Sequence, residues 1–184
     1  ASAAPKATGP LTPTNLAGVT IDCSNLATYA GTNVYVAGGT LTINSWFNGA
    51  TPAQPGCSGP CSFRFNRLTV GPGGVVTHMP GTGTGSWGLE ICVDGRVDVQ
   101  SGGAIDANGK GPSSAAGAVY FDGTNTLPSP YSYGAHGATF GKRGDPNEPG
   151  SSGSSTARLG GGVIRVSAAN LTNNGRITAD GTAV

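Results

Sequence analysis

The sequence predicts an all-β fold, a short β-solenoid with a long Gly-rich insert; the alternative is an antiparallel β-sandwich. Three observations lead there. Apolar residues alternate with polar ones in short runs, the period of a half-buried strand. The runs recur in about four degenerate copies, the first three roughly 30 residues apart, each broken by a small-residue corner. Helix signals are nearly absent, because Gly or Pro interrupts every stretch long enough to carry a helical apolar face.

Taken in order, residues 1–16 are rich in Pro, Thr and Ala. They read as an extended N-terminal segment, available to pair between subunits. Residues 17–184 read as a single β-solenoid domain. The first copy runs from Val34 and Val36 through Gly38-Gly39 to Leu41 and Ile43. The second has Leu68 and Val70, then Gly73-Gly74, then Val76. The third has Val97 and Val99, then Gly102-Gly103, then Ile105. The fourth has Leu171, then Asn174-Gly175, then Ile177. One such coil cannot bury its own apolar face, whereas stacked coils build a continuous core. Gly-Gly permits φ > 0 and a sharp corner between short strands. Asn108-Gly109 and Asp180-Gly181 close the next corner, although such dipeptides also mark hairpins, hence the sandwich alternative.

The period breaks over residues 110–162, a Gly/Ser/Pro-rich insert with scattered aromatics, Tyr120, Phe121, Tyr131, Tyr133 and Phe140. A connection this long is functional or disordered. The aromatics favour an ordered excursion on the solenoid flank, with a strand expected around 118–121. The pattern resumes at Val163-Ile164-Arg165-Val166.

Glycine accounts for 33 of 184 residues and charged residues for 10%, against about 7% and 25% in ordinary domains. Hydrophobic residues still make up 36% and the net charge is +1, so the composition is that of a folded, turn-dense chain rather than a disordered one. Ten Lys and Arg spread without a cluster speak against nucleic-acid binding, which needs a basic stripe. No apolar run approaches the ~20 residues that span a bilayer, so membrane insertion is not expected. The opening Ala-Ser-Ala-Ala-Pro, without Met, fits a mature secreted chain or a natural fragment.

Four cysteines suit an oxidising compartment. Three pairings are available; the reading favours Cys57–Cys61, pinning a Gly/Pro turn, and Cys23–Cys92, stitching two layers. A four-thiolate zinc site is the rival, but it needs two close Cys pairs and the chain has one.

The stretch Val93 to Gly111, Val-Asp-Gly-Arg-Val-Asp-Val-Gln-Ser-Gly-Gly-Ala-Ile-Asp-Ala-Asn-Gly-Lys-Gly, and the stretch Gly160 to Gly181 with Gly-Gly-Gly-Val-Ile-Arg-Val and Gly-Arg-Ile-Thr-Ala-Asp-Gly resemble a Gly-rich module of large secreted bacterial surface and adhesin-like proteins. The order of the two motifs around a Gly-rich insert carries the likeness, which covers about residues 60–181. It implies a pectin-lyase-like right-handed parallel β-helix and a structural or adhesive cell-surface role, with no catalytic residues to carry over. The chain departs from that family in its shortness and its four cysteines.

An enzyme on such a scaffold gathers carboxylates on one outward strand face, with Arg, Lys or calcium. Asp94, Arg96 and Asp98 share parity and project together, with Asp106 nearby; alternating charge on a solvated face accounts for them. Glu90 and Asp122 form a second conceivable pair. Asp106-Ala-Asn108-Gly109 lacks the later ligands of a calcium loop and reads as a turn. Neither His78 nor His136 adjoins a nucleophile motif, and Gly134 to Gly141 lacks the Lys-Ser/Thr of a phosphate loop. No catalytic residue, metal or cofactor is therefore expected. Asn170-Leu-Thr172 is a glycosylation sequon, and Ser151 to Thr156 offer sites for O-linked sugars. Trp46, Phe47 and Trp87, with the insert tyrosines, could stack sugar rings.

The functional expectation is an extracellular structural protein, not an enzyme. It would self-assemble with copies of itself into a surface filament, by end-to-end stacking or donor-strand addition. The alternatives are a carbohydrate-binding or adhesin module contacting surface glycans and, behind it, a polysaccharide lyase.

Overall fold

The computed structural model describes residues 13–49, 61–80, 85–111, 120–121, 126–127 and 160–182. The short alternating runs become strands. In chain order these are β1 (Thr14–Asn15), β2 (Thr20–Ile21), β3 (Asn33–Val36), β4 (Thr40–Ile43), β5 (Trp46–Gly49), β6 (Arg64–Phe65), β7 (Arg67–Val70), β8 (Val75–Thr77), β9 (Gly85–Val99), β10 (Ala104–Asp106), β11 (Tyr120–Phe121), β12 (Thr126–Leu127), β13 (Ile164–Asn173) and β14 (Arg176–Thr178). One helical turn, α1 (Leu26–Tyr29), follows β2. The fold is all-β.

Two parallel sheets carry the structure. The first runs β1-β3-β7-β9-β13 and the second β2-β4-β8-β10-β14. Each pass of the chain therefore adds one strand to the first sheet and then one to the second, in the same order. The antiparallel sandwich weighed as the alternative is not the arrangement found. Antiparallel pairing is confined, among the described residues, to β5 with the start of β9 and to the small β11–β12 pair inside the insert.

The register explains the repeat. Val34, Leu68, Val97 and Leu171 stand side by side in one column, and Val36, Val70 and Val99 in the next. In the second sheet Leu41, Val76, Ile105 and Ile177 form the matching column. Apart from the β13–β14 members, every one of these side chains is 0–1% exposed. Burying a Val, Leu or Ile side chain contributes about 1.5–3 kcal/mol, so the stacked columns are the main source of stability.

The corners need glycine for two separate reasons. The first glycine of each pair, Gly38, Gly73 and Gly102, has φ between +65° and +79°, the left-handed region where a Cβ is strained. The second, Gly74 or Gly103, lies so close to the carbonyl of Val36 or Val70 in the preceding layer that a Cβ would overlap it. Asx side chains secure other turns. Asn15 Oδ1 accepts from the N–H groups of Ala17 and Ala37 at 3.2 and 3.3 Å, and Asp106 Oδ1 accepts from Asn108 N–H at 2.8 Å. Asn108 Oδ1 in turn accepts from Asp180 N–H at 2.6 Å, tying one layer to the next.

Thr14–Asn15 already belong to the first sheet and Leu16 is 4% exposed, so the sheet begins inside the stretch read as an extended N-terminal segment; residues 1–12 lie outside the described residues.

Candidate assembly edge and the outer face of the sheets

The two ends of the stack differ. In the first layer Leu16 and Ile21 are buried, and Val19 and the α1 residues Leu26 and Tyr29 are partly buried against the core. In the last layer the apolar columns reach solvent. Leu171 is 53% exposed although its column mates Val34, Leu68 and Val97 are 0–1% exposed, and Ile164, Val166 and Ile177 are half-buried. β13 pairs with β9 and β14 with β10; among the described residues neither has a partner on its other side.

An edge of this kind is usually guarded by charge. Here β13 contains one charged residue, Arg165, and β14 one, Arg176. Each is drawn back toward a carboxylate of the preceding layer, Arg165 to Glu90 at 3.4 Å and Arg176 to Asp106 at 3.6 Å. The edge thus presents ladder groups and apolar side chains with little electrostatic protection.

The outer face of the first sheet accounts for the acidic candidates. Arg64 meets Asp94 at 2.6 Å and Arg96 meets Asp98 at 3.5 Å. Glu90, Asp94, Asp98 and Asp106 therefore each have an Arg within ion-pair distance. The equal parity of Asp94, Arg96 and Asp98 gives one alternating-charge face, as expected for a solvated strand. Asp106 Oδ1 is occupied by the Asn108 turn, and no group of three or more metal-ligating side chains occurs among the described residues. Asp122 and His136 lie outside the described residues, as do Gly134 to Gly141 and Ser151 to Thr156.

The favoured cysteine pairing is corrected. Cys92 is bonded to Cys61, with Cα atoms 5.2 Å apart, so Cys92 does not pair with Cys23 nor Cys61 with Cys57. The register supplies the reason. β6 lies beside β9 with Arg64 opposite Cys92, which brings Cys61 alongside. Cys23 follows β2 in the first layer, three layers from β9 at about 4.8 Å each, beyond the roughly 7 Å that a disulfide spans. Cys23 is itself disulfide-bonded; Cys57 lies outside the described residues. No described cysteine is a free thiol, so Cys23, Cys61 and Cys92 do not supply the thiolates that the zinc alternative needs.

Trp46 and Trp87 fall on the antiparallel β5–β9 ribbon, where Trp46 stands opposite Gly88 and Phe47 opposite Trp87. The sequon residue Asn170 lies within β13 rather than at a corner. It is exposed, and the Thr172 hydroxyl accepts a hydrogen bond from Arg96 at 3.1 Å.

His78, which adjoins no nucleophile motif in sequence, has an environment that the sequence does not reveal. It is fully buried. Its Nδ1 lies 2.7 Å from the Met79 carbonyl; a carbonyl can only accept, so Nδ1 carries the proton. Nε2 is then a bare lone pair and has no partner among the described residues. Burial pushes the pKa of the ring down to about 4, helped by the Lys110 charge and opposed by the Met79 carbonyl. No sequence motif marks this site, because it forms where three distant segments meet.

No helix among the described residues is long and apolar enough to cross a membrane. No protein-family model, curated protein or solved structure matches the chain.

Proposed function

We propose that the two parallel sheets are faces of a right-handed β-helix, and that the chain is a secreted structural subunit of a surface filament. The observation that carries this reading is the open β13–β14 edge, where Leu171 is 53% exposed at the end of an otherwise buried column. A second copy supplies what that layer lacks, either by stacking end to end or by adding its N-terminal segment as a strand. Both contacts are heterologous, so repeated addition gives an open fibre. The disulfide fits an oxidising, extracellular setting. Pairing of the outer carboxylates with arginines supports a structural rather than catalytic face, and the likeness to modules of bacterial surface and adhesin-like proteins points the same way. Negative-stain electron microscopy and sedimentation of the purified protein test the proposal. Filaments or end-to-end oligomers are expected, and a strictly monodisperse monomer at high concentration refutes it.

A carbohydrate-binding role is the second reading. It rests on the ribbon that gathers Trp46, Phe47 and Trp87 into one two-stranded element, since aromatic rings offer apolar faces to sugars. Glycan-array binding that disappears in Trp46→Ala supports it; binding unchanged by that substitution removes Trp46 from the argument.

A further inference from the structure

The chain leaves the second sheet after β10 and returns before β13 through a closed junction. Gly111 N–H donates to the Gly160 carbonyl at 2.8 Å, and Gly162 N–H to the Ala107 carbonyl at 2.7 Å. One step further on, Leu89 N–H donates to the Val163 carbonyl at 2.9 Å, which seats the start of β13 on β9. The junction is tight. A Cβ on Gly161 would overlap the Ala179 carbonyl, and one on Gly162 would overlap His78 Nε2.

His78 is thus the side chain against which the returning segment closes. Its other nitrogen is committed to Met79, whose N–H is anchored on Asn44 Oδ1 at 3.0 Å, so the ring is held from behind. Neutral imidazole fits this place, with the bare Nε2 facing a glycine. A proton on Nε2 would add a donor and a positive charge at a nitrogen that has no hydrogen-bond partner among the described residues. Burying an uncompensated charge is expensive, and the group responds by staying neutral or by opening its surroundings to water.

We propose that this junction is an acid-sensitive latch, in which protonation of His78 at Nε2 separates residues 160–163 from 107–111 and frees the start of β13. Lys110 is the charged group facing the ring, and its sign matches the imidazolium. Gly160–Val163, Ala107, Asn44, Thr77 and Met79 bring no titratable side chain. The latch does not depend on whether the chain assembles.

In the closed junction His78 titrates near 4, whereas in the opened one it would titrate near the ordinary histidine value of about 6.5. Between those limits the open population rises as pH falls, by roughly tenfold per pH unit; above about 6.5 the closed form is unaffected. The test is amide hydrogen exchange on the intact, oxidised protein, corrected for intrinsic rates, from pH 7 to pH 4.5. Protection at Gly111, Gly162 and Leu89 is expected to fall about a hundredfold relative to Gly73 and Gln100, which sit in corners remote from His78. His78→Gln, which cannot be protonated there, should abolish that pH dependence. Junction amides that follow the reference amides across the range overturn the proposal, as does pH dependence that persists in His78→Gln. Should the variant not fold, NMR titration of the His78 ring in the native protein decides: a midpoint near 6.5 overturns the latch, and one displaced well below it supports it.

Discussion

Cys61 and Cys92 stand with Cα atoms 5.2 Å apart, joined across the seam between β6 and β9 and 31 positions apart in sequence. The bond ties the segment before β6 to the longest strand of the first sheet. Cross-linking a loop of that length removes unfolded-state entropy of about 3–4 kcal/mol. The Cys61→Ser/Cys92→Ser double variant should therefore unfold at a temperature roughly 10 °C lower. Calorimetry with and without a reductant checks this, and a reductant should shift the native protein in the same direction.

The first and second glycines of the Gly-Gly corners should behave differently. Gly38 has φ +65° and open space around the missing Cβ, so Gly38→Ala carries conformational strain of about 1 kcal/mol. At Gly103 a Cβ would overlap the Val70 carbonyl of the preceding layer. Backbone must then move, and Gly103→Ala should lose at least about 2–3 kcal/mol. Urea unfolding of the two variants side by side measures the difference.

Acid should weaken the whole fold in two separate windows. His78 is held neutral with a pKa near 4 in the folded state and titrates near 6.5 when unfolded. The unfolded chain thus takes up the proton first, and stability falls as pH drops from about 6.5 to about 4, then levels off. Its full extent is on the order of 3 kcal/mol. Asp22 works lower. Hydrogen bonds from the Ser24 hydroxyl and N–H hold its carboxyl below the usual value, so its contribution is present above about 3.9 and vanishes as pH falls through the folded-state value. Chemical denaturation at stepped pH should show the upper window disappear in His78→Gln and the lower one remain.

Leu171→Lys places a charge at the exposed end of an apolar column. The residue is 53% exposed, so folding stability should change by no more than about 0.5 kcal/mol. Assembly through β13, on the proposed function, should be lost. Sedimentation and microscopy of the variant, together with its melting curve, separate the two effects.

Much of the fold was readable because its repeat lies in the columns. Val36, Val70 and Val99 recur in sequence and are lateral neighbours in the first sheet. Gly-Gly marked three corners because no other residue meets both the φ and the spacing requirement there. The first layer escaped notice, since Thr14-Asn15 and Thr20-Ile21 lack the Val-x-Val signature and turn on Ala17-Gly18 instead. There Gly18, at φ +83°, is the cue that was available. The disulfide was misread because pairing follows distance between layers, which spacing along the chain does not encode. The unpartnered Nε2 of His78 was not legible for a similar reason, as Gly162 and Lys110 reach it from distant parts of the chain. The exposure of Leu171 beside its buried column mates became visible only with the register.

The hydrogen bond between Gly111 and Gly160 means that everything encoded between them departs and re-enters at one point. Among the described residues, neither large sheet takes a strand from between them. A foreign domain whose own ends lie close together can be inserted between Gly111 and Gly160, with their hydrogen bond closing its base.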